Sequence, residues 1–255
     1  GKLMLQYSGQ SNMKRVWLEC GGKSPNIILA DCPDLDRAAA TAAGAIFFNQ
    51  GEMCTAASRL IIEESVRDRV LEKVVEASRA MQPGDPLDPA TRMGAIVDEI
   101  QTRTVLGYID SGRSEGAAVL TGGQRVLEQT GGCYIGPTVF ANVKSDMRIA
   151  REEIFGPVLA AITVKDADEA VRVGNGVEYG LAAAVWTRDI GKAHRIAKAL
   201  RAGMVYVNCY DADDITVPFG GFKQSGTGRD QSLHACAKYT QLKTTWSGPP
   251  HPPAP

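Results

Sequence analysis

Residues 26–64 read NIILADCPDLDRAAATAAGAIFFNQGEMCTAASRLIIEE, and this stretch decides the fold class. It begins with the apolar run 26–30 and ends with the run 59–64, and both have the composition of short strands. Between them, residues 34–50 are rich in alanine, and Asp34 is a suitable N-cap for a helix. A strand, a helix and a second strand in this order favour a parallel sheet.

The rest of the chain continues this alternation. Residues 65–81 carry apolar side chains at helical spacing, and the turn-rich residues 82–92 follow as a loop. Further helices are predicted at 97–115, 167–176 and 190–200, and further strands at 15–19, 117–121, 134–143, 157–164, 180–187 and 203–209. The sequence therefore predicts an α/β fold in which helices flank a largely parallel sheet.

The composition argues against several function classes. The 255 residues are 44% hydrophobic and 22% charged, and a net charge of −1 offers no basic surface to nucleic acid or to a membrane. No apolar run approaches the ~20 residues of a membrane span, and residues 1–10 lack the pattern of a secretory signal. Six dispersed cysteines without a Cys-x-x-Cys pair, and three dispersed histidines, predict a cytoplasmic protein with reduced thiols and no metal site.

The C-terminal region has two predictions of its own. Residues 239–247 alternate like an exposed strand, and an unpaired strand is an aggregation hazard. We therefore expect this strand to pair with another chain or another domain. Residues 248–255 are rich in proline and are predicted to be a disordered tail.

Cys54 is the cysteine best suited to catalysis. It follows a bend at Gly51, where backbone N–H groups can hold a developing oxyanion, and the small residues 55–57 leave room for a substrate. A nucleophilic thiol needs this access, together with help in forming the thiolate. From the residues alone, a cysteine packed in the core remains the alternative.

Two acidic positions also have a functional interpretation. Glu19 ends a predicted strand, and the small residues 20–22 leave open space in front of its carboxylate. A general base that activates water suits this position, and a solvated glutamate is the alternative. The second position is the doubled acid of EEIFGPV, residues 152–158, for which a helix-end charge or a solvated loop is the alternative.

Five motifs occur in an order that resembles the catalytic half of the aldehyde dehydrogenase superfamily. They are LECGGKSPNIILADCPDLDRAA, FFNQGEMCTAASR, EEIFGPV, YGLAAAVWT and PFGGFKQSGTGRD. The resemblance extends over about residues 8–247. SNMKRVWLE, LDPAT, AAVWTRD and VPFGGFKQSG narrow it to bacterial γ-glutamyl-γ-aminobutyraldehyde dehydrogenases.

The resemblance implies a mechanism that uses the unusual residues. Cys54 is the implied nucleophile, which attacks an aldehyde to form a thiohemiacetal, and hydride loss to NAD or NADP then leaves a thioester. Glu19 is the implied base that activates water for hydrolysis, so the expected product is a carboxylic acid. The implied cofactor-binding residues are Glu153 for a ribose, Phe155 beside the nicotinamide ring and Gly21 for close backbone approach.

The resemblance also implies a substrate pocket for a small aldehyde. Phe48 and Phe219 match aromatic lining positions, and Met53 lies beside the nucleophile. Asp211 and Asp213 fall in the loop at the mouth, where carboxylates would attract the cation of an aminoaldehyde. A solvated acidic turn is the alternative, and the natural aldehyde and the choice between NAD and NADP stay open.

The domain organisation follows from the same resemblance. Residues 1–22 are predicted to end the dinucleotide-binding domain, 23–225 to form the catalytic domain and 226–247 to form a return segment with the oligomerisation strand of a homodimer or homotetramer. Relatives are roughly twice as long, so we expect this chain to lack most of the cofactor-binding half. Two rival functions are a cofactor-free cysteine esterase and a catalytically inactive assembly module.

Overall fold

The computed structural model describes residues 1–249, so most of the predicted tail 248–255 lies outside the described residues. The helices are α1 (Lys2–Gln10), α2 (Leu35–Phe47), α3 (Arg67–Arg79), α4 (Glu99–Ser114), α5 (Arg148–Arg151), α6 (Ala167–Asn175) and α7 (Ile190–Ala199). The strands are β1 (Leu18–Glu19), β2 (Pro25–Ile28), β3 (Arg59–Glu63), β4 (Ala118–Thr121), β5 (Arg125–Val126), β6 (Tyr134–Ile135), β7 (Thr138–Ala141), β8 (Val158–Val164), β9 (Tyr179–Gly180), β10 (Ala182–Trp186), β11 (Met204–Val207), β12 (Phe222–Lys223) and β13 (Gly226–Thr227).

A seven-stranded sheet has the order β11–β10–β2–β3–β8–β7–β4. Each neighbouring pair is parallel except β4 and β7, which are antiparallel. At the centre, Ile61 of β3 is in register with Ile27 of β2 and with Ile162 of β8. The predicted α/β fold with a largely parallel sheet is therefore confirmed.

Helices cover both faces of this sheet. Ile28 and Leu60 belong to an apolar cluster with α2 and α3, whereas Ile27 and Ile61 belong to a cluster with α6 and α7. Because side chains alternate along a strand, these two clusters lie on opposite faces. The Asp34 carboxylate accepts hydrogen bonds from the backbone N–H groups of Asp36 at 3.1 Å and Arg37 at 3.0 Å, so the predicted N-cap of α2 is confirmed.

The two ends of the chain differ from the sequence prediction. The strand predicted at 15–19 is limited to β1, which pairs antiparallel with β13. Helix α1 was not predicted, and none of its residues is buried. Residues 239–247 form no strand in the single chain and are exposed, so their pairing with another copy stays a prediction. Among residues 1–249, no helix is long and apolar enough to cross a membrane.

Candidate functional site

Three loops meet at the edge where neighbouring parallel strands begin. Residues 20–24 precede β2, residues 52–58 precede β3 and residues 152–157 precede β8. Since β2, β3 and β8 are adjacent and parallel, the loops before them lie side by side. The fold therefore brings together Gly21, Cys54 and Glu153, which are far apart in the sequence.

A left-handed turn presents Cys54. After α2, the backbone has positive φ angles of 48° at Asn49, 57° at Gln50 and 73° at Gly51. A Cβ atom on Gly51 would lie 2.2 Å from the carbonyl oxygen of Gly156, so this position needs a glycine. The bend predicted at Gly51 is present, and it directs the chain from the end of α2 to the cysteine.

The Cys54 thiol is partly buried and has charged neighbours. Burial raises its pKa above the ordinary value, and the negative charges of Glu19 and Glu153 raise it further. The backbone N–H groups of Cys54 and Thr55 act in the opposite direction, because their positive ends face the sulfur and favour the thiolate. A thiol in this environment is mostly protonated at neutral pH and needs a proton acceptor before it reacts.

A cavity of about 720 Å³ adjoins the thiol, between α2 and the edge strand β11. Cys54 lies in its wall, together with the five residues that the sequence predicted for a substrate pocket: Phe48, Met53, Asp211, Asp213 and Phe219. Sequence reasoning missed the other lining residues, which are Thr41, Gly44, Ala45, Thr55, Met81, Arg92, Met204, Tyr206 and Tyr210. Met204 and Tyr206 are two residues apart on β11, so the period of a strand places them on one face.

Charged groups give this cavity a mixed character. Burial, and then the nearby charge of Asp213, raise the pKa of Asp211 to about 6. The second carboxylate, Asp213, accepts a hydrogen bond of 3.3 Å from the side chain of Gln231. Arg92 contributes a cation to the same lining. Near neutral pH the wall therefore carries two carboxylates and one guanidinium.

Glu19 lies close to Cys54, although it is not among the residues that line the cavity. It is paired with Gly226 across β1 and β13, and the residue as a whole is exposed. Partial burial of its carboxyl group is the largest cause of its raised pKa, and the negative charge of Asp230 adds to the effect. The structure thus gives Glu19 an electrostatic contact with the thiol and access to water.

Glu153 contacts the two glycines that precede β2. Its Oε1 accepts a hydrogen bond of 3.0 Å from the backbone N–H of Gly22. A Cβ atom on Gly21 would lie 1.9 Å from its Oε2, so the carboxylate rests directly on bare backbone. Phe155, with φ of 55°, is 40% exposed beside it. Burial is the largest cause that raises the pKa of Glu153.

Glu153 and Phe155 have the chemistry to hold the nicotinamide end of a dinucleotide. A carboxylate can accept hydrogen bonds from ribose hydroxyls, and an exposed aromatic face suits a flat ring. The space over Gly21 is taken by the Glu153 carboxylate, so close approach of a ring to Gly21 stays a prediction. Within residues 1–249, no group of three or more His, Cys, Asp or Glu side chains could hold a metal ion.

The parallel sheet and the thiol in the wall of a cavity are features of an aldehyde dehydrogenase. The sequence profile described as Aldehyde dehydrogenase family matches residues 1–245, and the chain belongs to this family. The resemblance predicted from the five motifs is therefore confirmed.

Particular relatives are similar to the chain over almost all of its length. It is 50% identical over 246 residues to the NADP/NAD-dependent aldehyde dehydrogenase PuuC of Escherichia coli (strain K12), and this match covers 96% of the chain and 49% of PuuC. A structure of gamma-glutamyl-gamma-aminobutyraldehyde dehydrogenase from Burkholderia cenocepacia J2315 is 62% identical with a TM-score of 0.94, over 96% of this chain and 49% of that one. P. syringae AldA indole-3-acetaldehyde dehydrogenase, solved as a mutant in complex with NAD+ and IAA, is 59% identical with a TM-score of 0.95, over 96% and 50%. The chain spans about half the length of the curated relatives it matches.

Proposed function

We propose that the protein carrying this chain oxidises aldehydes to carboxylic acids with NAD⁺ or NADP⁺ as the hydride acceptor. Cys54 is the nucleophile, and Glu19 is the general base. The observation that carries this proposal is the partly buried thiol in the wall of a cavity of about 720 Å³, with the Glu19 and Glu153 carboxylates acting on it. Membership of the aldehyde dehydrogenase family supports it independently.

The first step forms a bond between the Cys54 sulfur and the aldehyde carbon, and the aldehyde oxygen takes up the negative charge. The thiol proton must leave as the bond forms, because burial and nearby carboxylates raise the pKa of the thiol. Glu19 is suited to accept that proton, since its own pKa is also raised. The N–H groups of Cys54 and Thr55 supply hydrogen-bond donors beside the reacting sulfur.

The second step needs the cofactor beside the thiohemiacetal. The chemistry that the cofactor supplies when bound is acceptance of a hydride from the former aldehyde carbon. Glu153 would hold the ribose through its carboxylate, and Phe155 and Gly21 would border the nicotinamide ring. Cys54 then carries the acyl group as a thioester.

The third step releases the acid. Glu19 first releases the thiol proton to solvent and then takes a proton from water, and the resulting hydroxide attacks the thioester carbonyl carbon. The proton held by Glu19 then passes to the departing Cys54 thiolate. The carbon–sulfur bond breaks, the carboxylic acid leaves, and the Cys54 thiol is restored. The exposure of Glu19 supports this role, because water reaches it without crossing the substrate cavity.

We propose an amine-bearing aldehyde as the substrate. The cavity wall holds Asp211 and Asp213 against a single cation, Arg92, so its net charge attracts an ammonium group. The rings of Tyr206 and Tyr210, whose centroids are 5.1 Å apart, add aromatic surface of the kind that binds cations. The Burkholderia relative is a gamma-glutamyl-gamma-aminobutyraldehyde dehydrogenase, which supports the same substrate class.

We also propose a cytoplasmic homodimer or homotetramer. All six cysteines are free, as expected in a reducing compartment. Residues 239–247 support assembly because they expose Tyr239 by 84%, Leu242 by 101% and Trp246 by 91%. A large apolar surface of this kind is typical of a segment that packs against another chain.

The test compares the protein with its Cys54→Ser and Glu19→Gln variants. We expect the Cys54→Ser variant to lose NADH formation. We expect the Glu19→Gln variant to form no more than one equivalent of NADH, and to form it slowly, because Glu19 also accepts the thiol proton in the first step. Intact mass should then show the acyl group retained on the Glu19→Gln variant, because hydrolysis depends on the same base. Steady turnover by either variant would contradict the assigned role of that residue.

Substrate class is tested with an ω-aminoaldehyde and the plain aldehyde of equal length. We expect a higher kcat/KM for the aminoaldehyde, and we expect Asp213→Ala to reduce that preference. Equal kcat/KM values would refute the aminoaldehyde proposal. Hydrolysis of a nitrophenyl ester without NAD⁺, combined with no aldehyde oxidation, would favour a cysteine esterase. A Cys54 thiol that is no more reactive than the other five would favour an inactive assembly module.

A further inference from the structure

We propose that Tyr210 is a positioning residue, whose hydroxyl fixes the Thr55 carbonyl and thereby holds the Thr55 N–H against the Cys54 sulfur. The inference rests on the proposed nucleophilic role of Cys54. It concerns a tyrosine that does not react itself and that lies 155 positions away in the sequence from the residue it holds.

The backbone on both sides of Thr55 is held at specific contacts. In the peptide unit before it, the Cys54 carbonyl oxygen packs against Gly22, where a Cβ atom would lie only 2.2 Å away. The N–H of that same unit faces the sulfur and favours its thiolate form. Because a peptide unit is planar, the contact at Gly22 and the donor at the sulfur are fixed together.

The peptide unit after Thr55 is held by two hydrogen bonds. The Tyr210 hydroxyl donates to the Thr55 carbonyl oxygen at 2.6 Å. The Ala56 N–H of the same unit donates to the Met53 carbonyl oxygen at 3.0 Å. Thr55 itself is 6% exposed, so water cannot readily replace the tyrosine. Removing the Tyr210 hydroxyl therefore frees the Thr55 carbonyl, and the Thr55 N–H that faces the thiolate becomes less firmly held.

Tyr210 is suited to a permanent donor role. Burial, and then the nearby charge of Asp211, raise its pKa well above the ordinary value, so the hydroxyl keeps its proton at every pH at which the enzyme would work. The ring lines the same cavity as the thiol and packs against Tyr206. The hydroxyl of Tyr206 provides a contrast, because its hydrogen bond within residues 1–249 goes to the Met204 sulfur at 3.9 Å and not to the Thr55 carbonyl.

The groups that set the ionisation of Cys54 come from several elements. Glu19 acts from β1 and Glu153 acts from the loop before β8, and both oppose thiolate formation. The N–H groups of Cys54 and Thr55 favour the thiolate. Only the Thr55 donor depends on Tyr210, so a Tyr210→Phe variant changes one of these contributions and leaves both carboxylates in place.

The experiment measures alkylation of Cys54 by iodoacetamide over a pH series, with each cysteine followed by peptide mass spectrometry. In the full-length protein, we expect Tyr210→Phe to raise the pH midpoint of Cys54 alkylation by about 0.5 to 1, the shift for loss of one weak hydrogen bond to the thiolate. The matched control is Tyr206→Phe, which removes a hydroxyl from the same cavity wall, and we expect its alkylation midpoint to be unchanged.

The other five thiols serve as internal standards. Faster alkylation of all of them in Tyr210→Phe would reveal general loosening of the fold and would overturn the proposal, as would an unchanged Cys54 midpoint. In the aldehyde assay, we expect Tyr210→Phe to lower kcat several-fold with little change in the KM of the aldehyde, whereas a residue that only lines the cavity would change KM. Because alkylation needs no turnover, failure of the proposed oxidation and failure of the positioning role give different results.

Discussion

Replacing Arg59 with methionine tests whether this side chain holds the loop before β2 against α6. Arg59 is the first residue of β3 and is 2% exposed. Its Nε donates to the Lys23 carbonyl oxygen at 2.8 Å, and its two terminal nitrogens donate to the carbonyl oxygens of Val173 and Gly174 at 2.9 and 2.8 Å. The last two acceptors lie in the final turn of α6, where the helix dipole also favours a cation. One side chain thus joins the loop before β2 to α6.

The expected loss follows from these three bonds. A hydrogen bond from a charged donor contributes about 1.5 to 3 kcal/mol in mutational series, so three bonds amount to about 4 to 9 kcal/mol. Such values already contain the burial cost that lowers the pKa of Arg59 to about 9, and the side chain is still charged at neutral pH. Methionine refills the aliphatic volume but removes the charged donor from three carbonyl groups, of which Val173 keeps a hydrogen bond of 3.1 Å from the Gly176 N–H. We therefore expect the free energy of unfolding to fall by at least about 4 kcal/mol.

Urea denaturation followed by tryptophan fluorescence measures this loss. The matched variant Arg59→Lys keeps the charge but lacks the planar fork that reaches three acceptors at once, so we expect it to lose about half as much as Arg59→Met. An Arg59→Met variant that unfolds within about 1 kcal/mol of the unsubstituted chain would refute the reasoning. An Arg59→Lys variant as stable as the unsubstituted chain would show that charge, and not the geometry of the fork, matters here.

Three further predictions concern the same region. Gly22→Ala should reduce aldehyde kcat/KM by roughly 100-fold, since its Cβ would meet the Cys54 carbonyl oxygen at 2.2 Å, whereas Gly107→Ala, with no atom within 4 Å, should leave activity intact. Lys23→Met should stabilise the fold by up to about 5 kcal/mol below pH 7, because burial of an unpartnered ammonium lowers the pKa of Lys23 from 10.5 to about 7. Between these two pH values the unfolded chain binds a proton that the folded chain has lost. The gain in stability, measured by urea denaturation, should therefore shrink as pH rises toward 10. The pKa of Asp211 is about 6, so its carboxylate loses its charge as pH falls through that value, and KM for an aminoaldehyde should rise there while KM for a plain aldehyde stays constant.

Local sequence patterns predicted most of the sheet and its helices. The Asp34 cap and the alanines after it define α2, and apolar runs such as 157–164 define buried strands. Helix α1 was missed because it has no N-cap side chain and buries none of its residues, so no apolar stripe marks it. Several strands around the site are only two residues long, which is too short to show a period.

Predicting the site from the sequence was limited by long-range contacts. Individual residues such as Cys54 and Glu153 could be proposed from their motifs, but their proximity depends on β2, β3 and β8 being neighbours. That order is a property of the whole sheet, because β8 follows β3 only after four intervening strands in the sequence. Tyr210 was missed for a related reason: its hydrogen bond ends on a backbone carbonyl, and any residue at position 55 would provide one.

The order of the strands also separates the two halves of the proposed chemistry. Residues suited to the cofactor come from loops before β2 and β8, whereas the substrate cavity lies along α2 and the edge strand β11. Cys54, on the loop before β3, lies between them. The lining residues on α2 and β11, which are Thr41, Gly44, Ala45, Met204 and Tyr206, lie outside the loops that hold the thiol, so these side chains can change without disturbing those loops. This separation explains physically how relatives about 60% identical to this chain can be named for aldehydes as different as an indole and an aminobutyraldehyde.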